Sequence, residues 1–372
     1  MAKRANGEGS VYQRADGRWC ASISIAPGKR KHFLGQTRVE VSRKLNAALK
    51  ARDDGLPVIV ERETVAQFLR SWLEAVRPSL RSNTWVRYEQ YVRLHVLPTL
   101  GKISLTKLTP QHLQRLYAER LDSGLSPTSV HHLHAVLHKA LDQAVRWNLV
   151  ARNVADLVDP PRDRHFEIAT LSPAQARLLL DAAAGDRLDA LYVLALTTGM
   201  RQGEILGLRW RHVDLDGASL QVRGSLQRLE GKLTVAATKT EHSQRRVSIT
   251  ASAVVALRRH RVRQAEERLQ LGAAWQGDDL VFTNEIGAPI GASRLLRASF
   301  HPLLRRAGLP TMRFHDLRHS AATLLLGQGT HPKIVAELLG HSKIGTTMDL
   351  YSHVTPTMQR EATLAMEAIL RP

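Results

Sequence analysis

Two adjacent prolines, Pro160 and Pro161, limit how this chain can fold. Proline has a fixed φ and no backbone N–H, so neither a helix nor a central strand continues through such a pair. The stretch DGLPVIVERE at residues 54–63 has neither helical nor strand periodicity and predicts a second linker. The 372 residues are enough for two or three domains. We therefore expect three domains, at residues 1–55, 62–160 and 166–372.

The first of these segments has the pattern of a small β-sheet. Asp16 followed by Gly17 is a strong hairpin signal. Apolar residues then alternate with small polar ones, the period of a half-buried strand, at Trp19, Ala21, Ile23 and Ile25. Three short strands are expected, followed by a helix over about residues 38–53.

Positive charge is concentrated in the same segment. Residues 1–60 hold 12 lysines and arginines against 5 acidic residues, a net charge of +7. A sheet with this charge fits the major groove of DNA. The alternative is a solvated basic hairpin, because charge alone demonstrates no groove contact. The predicted DNA-binding residues crowd the turns and strand edges and are Arg14, Arg18, Lys29, Arg30 and Lys31.

The whole chain is strongly basic, with a formal net charge of +19 and a pI near 10.7. Such an excess favours a polyanionic partner, most often nucleic acid. No membrane partner is expected, because the longest apolar run is interrupted by Asp189 and is too short to span a bilayer. Residues 1–6 lack the apolar core of an export signal, which predicts a cytoplasmic protein. Cys20 is the single cysteine and excludes an internal disulfide or a cysteine-based zinc site.

Apolar residues recur at helical spacing through the second segment. Helices are predicted over residues 64–76, 81–96, 109–123 and 127–147. The last two begin with a capping residue followed by proline, at Thr109-Pro110 and Ser126-Pro127. Three histidines fall on the polar face of the last helix: His131, His134 and His138. Because no carboxylate ligand accompanies them and a lysine adjoins them, they are expected to be exposed polar residues and not metal ligands.

The third segment is predicted to be mainly helical with one strand-rich insert. Residues 219–249 alternate in polarity like two or three strands joined by polar turns. No glycine-rich nucleotide-binding loop with a Gly-Lys-Ser or Gly-Lys-Thr sequence is present. The fold class predicted for the chain is mainly α with small β-sheets.

The stretch HDLRHS at residues 315–320 has the composition of a reactive site. His315 and His319 are four residues apart, as in zinc protease helices, but Asp316 replaces the expected glutamate and Arg318 adds a cation. No metal site is therefore predicted. His315 and Arg318 share one helix face and suit a phosphate, because a guanidinium binds two phosphoryl oxygens and an imidazole exchanges protons.

A second motif, TTGMRQGEILGLRW, occupies residues 197–210. Its glycines recur every four residues and predict a helix that packs closely on a neighbour: Gly199, Gly203 and Gly207. Arg201 and Glu204 are three residues apart, so the carboxylate can orient the guanidinium. Further along, His341 follows a glycine and Tyr351 comes ten residues later. Taken alone, Tyr351 reads as a half-buried aromatic residue with a satisfied hydroxyl group.

Taken in order, these residues resemble the motif of the tyrosine recombinase (phage-type integrase) family. The matching positions are Arg201 with Glu204, Lys239 in TKTEHSQRR, His315 and Arg318 in HDLRH, His341 in LGHS, and Tyr351 in MDLYSHV. The resemblance is specific over residues 165–360 and looser over 60–160. It implies a helical core-binding domain and an α+β catalytic domain, preceded by a small three-stranded arm-binding domain.

The resemblance also implies a reaction, strand transfer without metal, nucleotide or other cofactor. Tyr351 would attack a DNA phosphodiester and form a 3′-phosphotyrosyl link, and a second strand's hydroxyl group would reverse the step. The two arginines, Arg201 and Arg318, would hold the phosphoryl oxygens. His315 would act as general acid or base, Lys239 would protonate the leaving oxygen, and His341 would donate to the phosphate.

The implied partners are double-stranded DNA, at core and arm-type attachment sites, and three further copies of the chain in a homotetramer on DNA. A DNA-bending host factor and an excision factor are also expected from the resemblance. Two other functions stay open. One is relaxation of DNA by type IB topoisomerase chemistry, and the other is a non-catalytic DNA-binding regulator. The regulator is disfavoured because no motif residue is missing. A zinc hydrolase is disfavoured for want of a carboxylate partner to the histidines.

Overall fold

A computed structural model of the chain describes residues 9–26, 29–53, 63–162, 169–229, 231–237, 244–277 and 279–340, and the single residues 345, 363, 366, 367 and 370. The chain forms two compact units, Met1–His165 and Phe166–Pro372. Most of the described residues are helical, and the strands form small antiparallel sheets. None of the helices that the structure describes is both long and apolar enough to cross a membrane.

The first unit begins with the predicted three-stranded sheet. Its strands are β1 (Ser10–Gln13), β2 (Trp19–Ala26) and β3 (Lys29–Gly35), antiparallel in the order β1-β2-β3, and helix α1 (Arg38–Asp53) follows. Ala21 and Ile23 of the middle strand are buried with Val41 and Leu45 of α1 in a small apolar core. Burial does not alternate strictly along β2, because Cys20, on the opposite face from Ala21 and Ile23, is also buried. The side chain of Ile25 lies outside the described residues.

The rest of this unit is a helical bundle with its own core. It consists of α2 (Val65–Val76), α3 (Ser82–Tyr91), α4 (Leu97–Leu100), α5 (Pro110–Asp122) and α6 (Pro127–Arg146). A π-helical turn over Val92–Val96 joins α3 to α4, so the helix predicted at 81–96 runs four residues further. The Ser126 hydroxyl accepts from the Ser129 backbone N–H at 3.2 Å, which confirms the predicted cap-plus-proline start of α6. The core contains Phe68, Trp72 and Leu133 at its centre.

The second unit is built around one buried helix, α8 (Asp189–Thr198). Helices α10 (Ala251–Leu271) and α13 (Phe314–Gly327) pack against it. The other helices, in chain order, are α7 (Pro173–Ala183), α9 (Gln202–Leu206), α11 (Ala292–Leu295), α12 (His301–Arg306) and α14 (Pro332–Leu339). A helix as apolar as α8 is stable in water only when neighbours cover all its faces.

The strand-rich insert contributes to two separate sheets. After β4 (Val213–Asp214) come β5 (Ser219–Val222), β6 (Gly224–Leu229), β7 (Lys232–Ala237) and β8 (Arg245–Ser248). Strands β4, β5 and β8 form one sheet, whereas β6 and β7 form a two-stranded ribbon. The prediction of two or three strands over residues 219–249 was therefore too low. Polarity alternates across the boundary at Arg223, so the pattern does not reveal that the chain changes sheets there.

Candidate functional site

The first predicted site residues, Arg201 and Glu204, form one hydrogen-bonded unit at the start of α9. The Glu204 carboxylate accepts from the Arg201 backbone N–H at 3.0 Å and from its Nη1 at 2.8 Å. Glu204 is buried, with 3% of its surface exposed, whereas the Arg201 side chain is 39% exposed. The carboxylate therefore satisfies a free backbone donor of the helix and fixes the guanidinium at the protein surface.

The glycines of this motif do not form the single helix predicted from their spacing. Helix α8 ends at Thr198, and Gly199 has φ +59°, in the left-handed region that favours glycine. A Cβ on Gly199 would lie 2.3 Å from Leu339 Cδ2. Gly203 and Gly207 do pack closely on a neighbour, as predicted, but that neighbour is strand β6. Added Cβ atoms at these glycines would collide with Ser225 and Leu226. The chain turns a corner here, which sets Arg201 at the start of a new helix.

Arg318 lies beside that corner on α13 and is 3% exposed. Its Nη1 donates to the Gly199 carbonyl at 2.8 Å, whereas its buried Nη2 has no acceptor among the residues that the structure describes. Burial, followed by the charge of Arg201, lowers the pKa of Arg318 to about 9, so the guanidinium is still charged at neutral pH. A buried cation with an unused hydrogen-bond donor is suited to bind an anion.

Arg245 is a part of this cluster that the sequence did not reveal. Its Nη2 donates to the second oxygen of Glu204 at 3.1 Å, its Nε donates to the Leu338 carbonyl at 2.8 Å, and its side chain is 8% exposed. Arg245 is on the same face of β8 as the buried Val247. The alternation of β8 could have indicated an inward-facing arginine. Its partner, however, is 41 residues away in sequence, and only the fold identifies it.

Glu204 is therefore an anion held between two cations. Burial alone would raise the pKa of this carboxyl group, but Arg245 and Arg201 outweigh burial and hold the pKa below its ordinary value. Arg201 also donates through Nη2 to the Gly340 carbonyl at 3.3 Å. Arg201 and Arg245 together thus fix the C-terminal end of α14, directly before His341.

His315 is exposed at the start of α13, and its ring centroid is 4.8 Å from that of His319. Although the residue is exposed, partial desolvation and then the charges of His319 and Arg318 lower the pKa of His315 to about 4. The imidazole is therefore neutral at pH 7 and able to accept a proton. The Asp316 carboxylate is buried and accepts from the backbone N–H and side chain of Arg313, so it caps the helix.

Three predicted residues, Lys239, His341 and Tyr351, lie outside the described residues. The structure gives the elements next to two of them. Residues 238–243, which contain Lys239, connect β7 to β8, and His341 follows the last described residue of the loop after α14.

The predicted DNA contacts of the first unit lie on the three-stranded sheet. Arg14 and Arg18 are exposed at the β1–β2 turn, where Asp16 pairs with Arg18 at 2.7 Å. Arg30 is exposed on β3. Lys31 is half-buried on the same strand, and Lys29 begins the strand but its side chain lies outside the described residues.

The histidines of α6 differ from the prediction, because two carboxylates lie beside one of them. His138 Nε2 is 2.7 Å from Asp156 and its Nδ1 is 3.5 Å from Asp142. These three groups are close enough to bind a metal ion. The two ring nitrogens of His138, however, face different carboxylates. An ion bound to either nitrogen would therefore lie beside one carboxylate and not between the two. His134 is half-buried and contacts the Tyr117 hydroxyl at 3.0 Å. The arrangement fits ion pairing on the surface of the bundle.

Comparison with known proteins identifies the family. The phage integrase family matches residues 169–358, and the N-terminal SAM-like domain of phage integrases matches residues 64–121. A tyrosine recombinase XerC-like protein of Caldanaerobacter subterraneus subsp. tengcongensis is 34% identical over 353 residues, which cover 90% of each chain. This chain belongs to the phage integrase family. It is a site-specific recombinase of the tyrosine type.

Solved structures of integrases share the fold. The Tn1549 transposon integrase in complex with a circular intermediate DNA has a TM-score of 0.70 at 22% identity, covering 82% of this chain and 99% of its own. The lambda integrase tetramer bound to a Holliday junction has a TM-score of 0.57 at 17% identity, covering 94% of this chain and 96% of its own. The integrase fold therefore extends over most of the chain.

The buried position of Glu204 predicts a large effect of Glu204→Gln on stability. Removing the charge leaves Arg201 and Arg245 without their anion, which should lower the free energy of unfolding by about 3–5 kcal/mol. Urea denaturation at pH 7 measures this loss. A matched control is Glu285→Gln, because Glu285 pairs with Arg294 at the surface. The control should change stability by less than about 1 kcal/mol.

The same substitution has a defined pH dependence. Because the folded pKa of Glu204 lies below its ordinary value of 4.5, its stabilising contribution is present above pH 4.5 and is lost as the pH falls through the folded pKa. The difference in the free energy of unfolding between the native protein and Glu204→Gln should therefore become smaller at acidic pH. Equal stabilities at pH 7 would contradict the proposed ion pairing.

Proposed function

We propose that this recombinase cuts and rejoins duplex DNA through a 3′-phosphotyrosyl intermediate on Tyr351. The observation that supports this most directly is the pair formed by Arg201 and Arg318. Arg318 has a buried donor with no acceptor among the described residues, and Arg201 is fixed beside it by Glu204. Two rigid guanidiniums at one corner of the fold suit the two non-bridging oxygens of a phosphodiester.

The reaction balances without a cofactor. The Tyr351 oxygen attacks phosphorus, the 5′-oxygen of the broken strand leaves, and the protein is joined to the 3′-phosphate. A free 5′-hydroxyl group of another strand then attacks the phosphotyrosine and releases the tyrosine. Because the bond energy is kept in the phosphotyrosyl ester, resealing needs no nucleotide. Arg201 and Arg318 offset the negative charge that grows on the phosphoryl oxygens in each step.

Three further groups handle protons and hydrogen bonds. His315 is neutral in the free protein and can take the proton of the Tyr351 phenol, whose ordinary pKa is about 10. A bound phosphate adds negative charge beside the imidazole and raises the pKa of His315 again, which favours this transfer. Lys239 protonates the leaving 5′-oxygen, and His341 donates to a phosphoryl oxygen.

We assign the chain three domains: an arm-binding domain at residues 1–55, a core-binding domain at 62–160 and a catalytic domain at 166–372. The separate apolar core of the three-stranded sheet supports the first boundary. The match of the SAM-like domain supports the second domain. The predicted contacts with arm-type DNA are Arg14, Arg18, Lys29, Arg30 and Lys31.

The active assembly is a homotetramer on two DNA duplexes, by analogy with the lambda integrase tetramer. Met366 and Leu370 of the C-terminal tail are exposed, 57% and 73%, which supports a tail that packs on another protomer. The physiological reaction is integration or excision of a mobile element in the cytoplasm of a prokaryote, at the nucleoid. A DNA-bending host factor and an excision factor would assist it.

The substitution Tyr351→Phe tests the nucleophile. It removes only the attacking oxygen, so DNA affinity should stay within about twofold and the covalent adduct on a nicked suicide substrate should disappear. The adduct is measured by denaturing gel electrophoresis. The matched control is Tyr12→Phe, which makes the same change on exposed β1. A covalent adduct formed by Tyr351→Phe would show that another residue is the nucleophile.

The substitution Arg318→Lys tests whether a fork of two donors is needed. An ammonium cannot donate to Gly199 and a phosphate as a guanidinium does, so single-turnover cleavage should fall by about 10²–10³-fold, nearly as far as in Arg318→Ala. The control is Arg294→Lys, on an exposed arginine. Cleavage by Arg318→Lys at the native rate would show that Arg318 contributes only a positive charge.

Removal of residues 1–55 tests the arm-binding domain. The truncated protein should recombine long attachment sites at least about tenfold more slowly, because it loses a separate set of phosphate contacts. Its cleavage of a short core duplex should persist at raised protein concentration. Normal recombination of long sites by the truncated protein would remove the arm-binding assignment.

A further inference from the structure

Helix α10 has an exposed apolar stripe. Val255, Val262 and Leu269 are 55%, 60% and 82% exposed, and they follow one another at intervals of seven residues. Seven residues are close to two helical turns, so the three side chains lie in one line along the helix. The opposite face of α10 is buried and includes Ala253, Ala256, Leu257, His260 and Gln264. The stripe is therefore turned away from the core of the second unit.

A surface groove of about 480 Å³ adjoins the stripe and is lined by Leu215, Asp216, Arg258, Arg261, Val262 and Ala265. Leu215 is half-buried and Ala265 is exposed, so side chains of another molecule can reach the apolar atoms of the groove. Apolar side chains that recur every seven residues on an exposed helix are typical of contacts between two helices. The phosphates of DNA would give these side chains no apolar partner. The stripe therefore favours a protein partner over nucleic acid.

The residues of this face are arranged symmetrically about Val262. Arg258 lies four residues before Val262 and Glu266 lies four residues after it, each about 40° from it around the helix, and both are exposed. Val255 and Leu269 lie seven residues on either side of Val262. A two-fold axis at Val262 would therefore exchange positions that are both apolar or that have opposite charges.

We propose that this face of α10 binds the same face of a second copy of the chain, with the two helices antiparallel. A two-fold axis at Val262 brings Val255 of one copy to Leu269 of the other, and Arg258 of one copy to Glu266 of the other, twice in each case. Parallel helices would instead place like charges together. The pairing is independent of the proposed reaction at Tyr351, and its tests involve no DNA cleavage.

The ion pair that Arg258 makes in the free chain does not oppose this contact. Arg258 pairs with Asp216 at 2.7 Å, but the two side chains are 58% and 95% exposed, and such pairs contribute little to stability. A guanidinium also has donors enough for a second carboxylate. Because one pair of helices forms a small interface, we expect a dissociation constant on the order of 10–100 µM in the absence of DNA.

Sedimentation velocity of the 372-residue chain without DNA, over a range of concentrations at low salt, measures this self-association. Val262→Glu should weaken it at least about tenfold, because two carboxylates would meet at the two-fold axis. The matched control is Val39→Glu, which makes the same change on a valine of α1 that is 78% exposed. The control should self-associate like the native chain.

Exchanged charges test the antiparallel arrangement. Arg258→Glu and Glu266→Arg should each weaken self-association about tenfold, because each places like charges together twice. An equimolar mixture of the two variants should form a heterodimer of nearly native affinity, because every contact then joins a carboxylate to a guanidinium. The control is Arg268→Glu, which makes the same charge change on α10 about 120° around the helix from Val262 and should leave self-association unchanged.

A native chain that stays monomeric throughout this concentration range would overturn the inference, and so would self-association that Val262→Glu leaves unchanged. If the mixture of charge variants associates no better than either variant alone, the helices do not pair as proposed. If Val262→Glu lowers the melting temperature more than Val39→Glu does and leaves self-association at the native level, another part of the same chain covers the stripe. If it weakens binding to a short DNA duplex more than Val39→Glu does, with self-association unchanged, the stripe binds DNA. Either result overturns the inference as well.

Discussion

The buried carboxylate of Glu204 is the interaction on which the rest of the site depends. Three guanidiniums, those of Arg201, Arg245 and Arg318, lie around one corner of the second unit, and two of them are buried. Mutual repulsion of such cations is strong away from water. Glu204 offsets it and at the same time satisfies a backbone donor of α9. The cluster therefore persists in the free protein, before any phosphate is bound.

Local features of this arrangement could be predicted from the sequence. The spacing of three between Arg201 and Glu204 is a helical contact, and the two residues do meet. The proline-initiated start of α6, the hairpin at Asp16-Gly17 and the helix over residues 38–53 were predicted for the same reason. Each depends on residues within a few positions of one another, where propensity and periodicity determine the outcome.

Features that depend on distant contacts could not be predicted. Arg245 donates to acceptors that are distant in sequence, Glu204 of α9 at 41 residues and Leu338 of α14 at 93 residues. The change of sheet between β5 and β6 leaves the polarity pattern undisturbed. The break at Gly199 was missed because a glycine every four residues fits a close-packed helix as well as it fits a corner. The positions of Lys239, His341 and Tyr351 stay predictions.

The buried Nη2 of Arg318, which has no acceptor among the residues that the structure describes, has a consequence for the thermodynamics of DNA binding. Removing a cationic N–H from water without giving it an acceptor costs free energy, and here that cost falls on the folding of the protein. A phosphate that arrives at this donor meets a group that has already been dehydrated and oriented. Part of the usual penalty for forming a charged hydrogen bond is thus absent from the binding step, so the free recombinase is less stable than it would otherwise be and its affinity for the phosphate is greater.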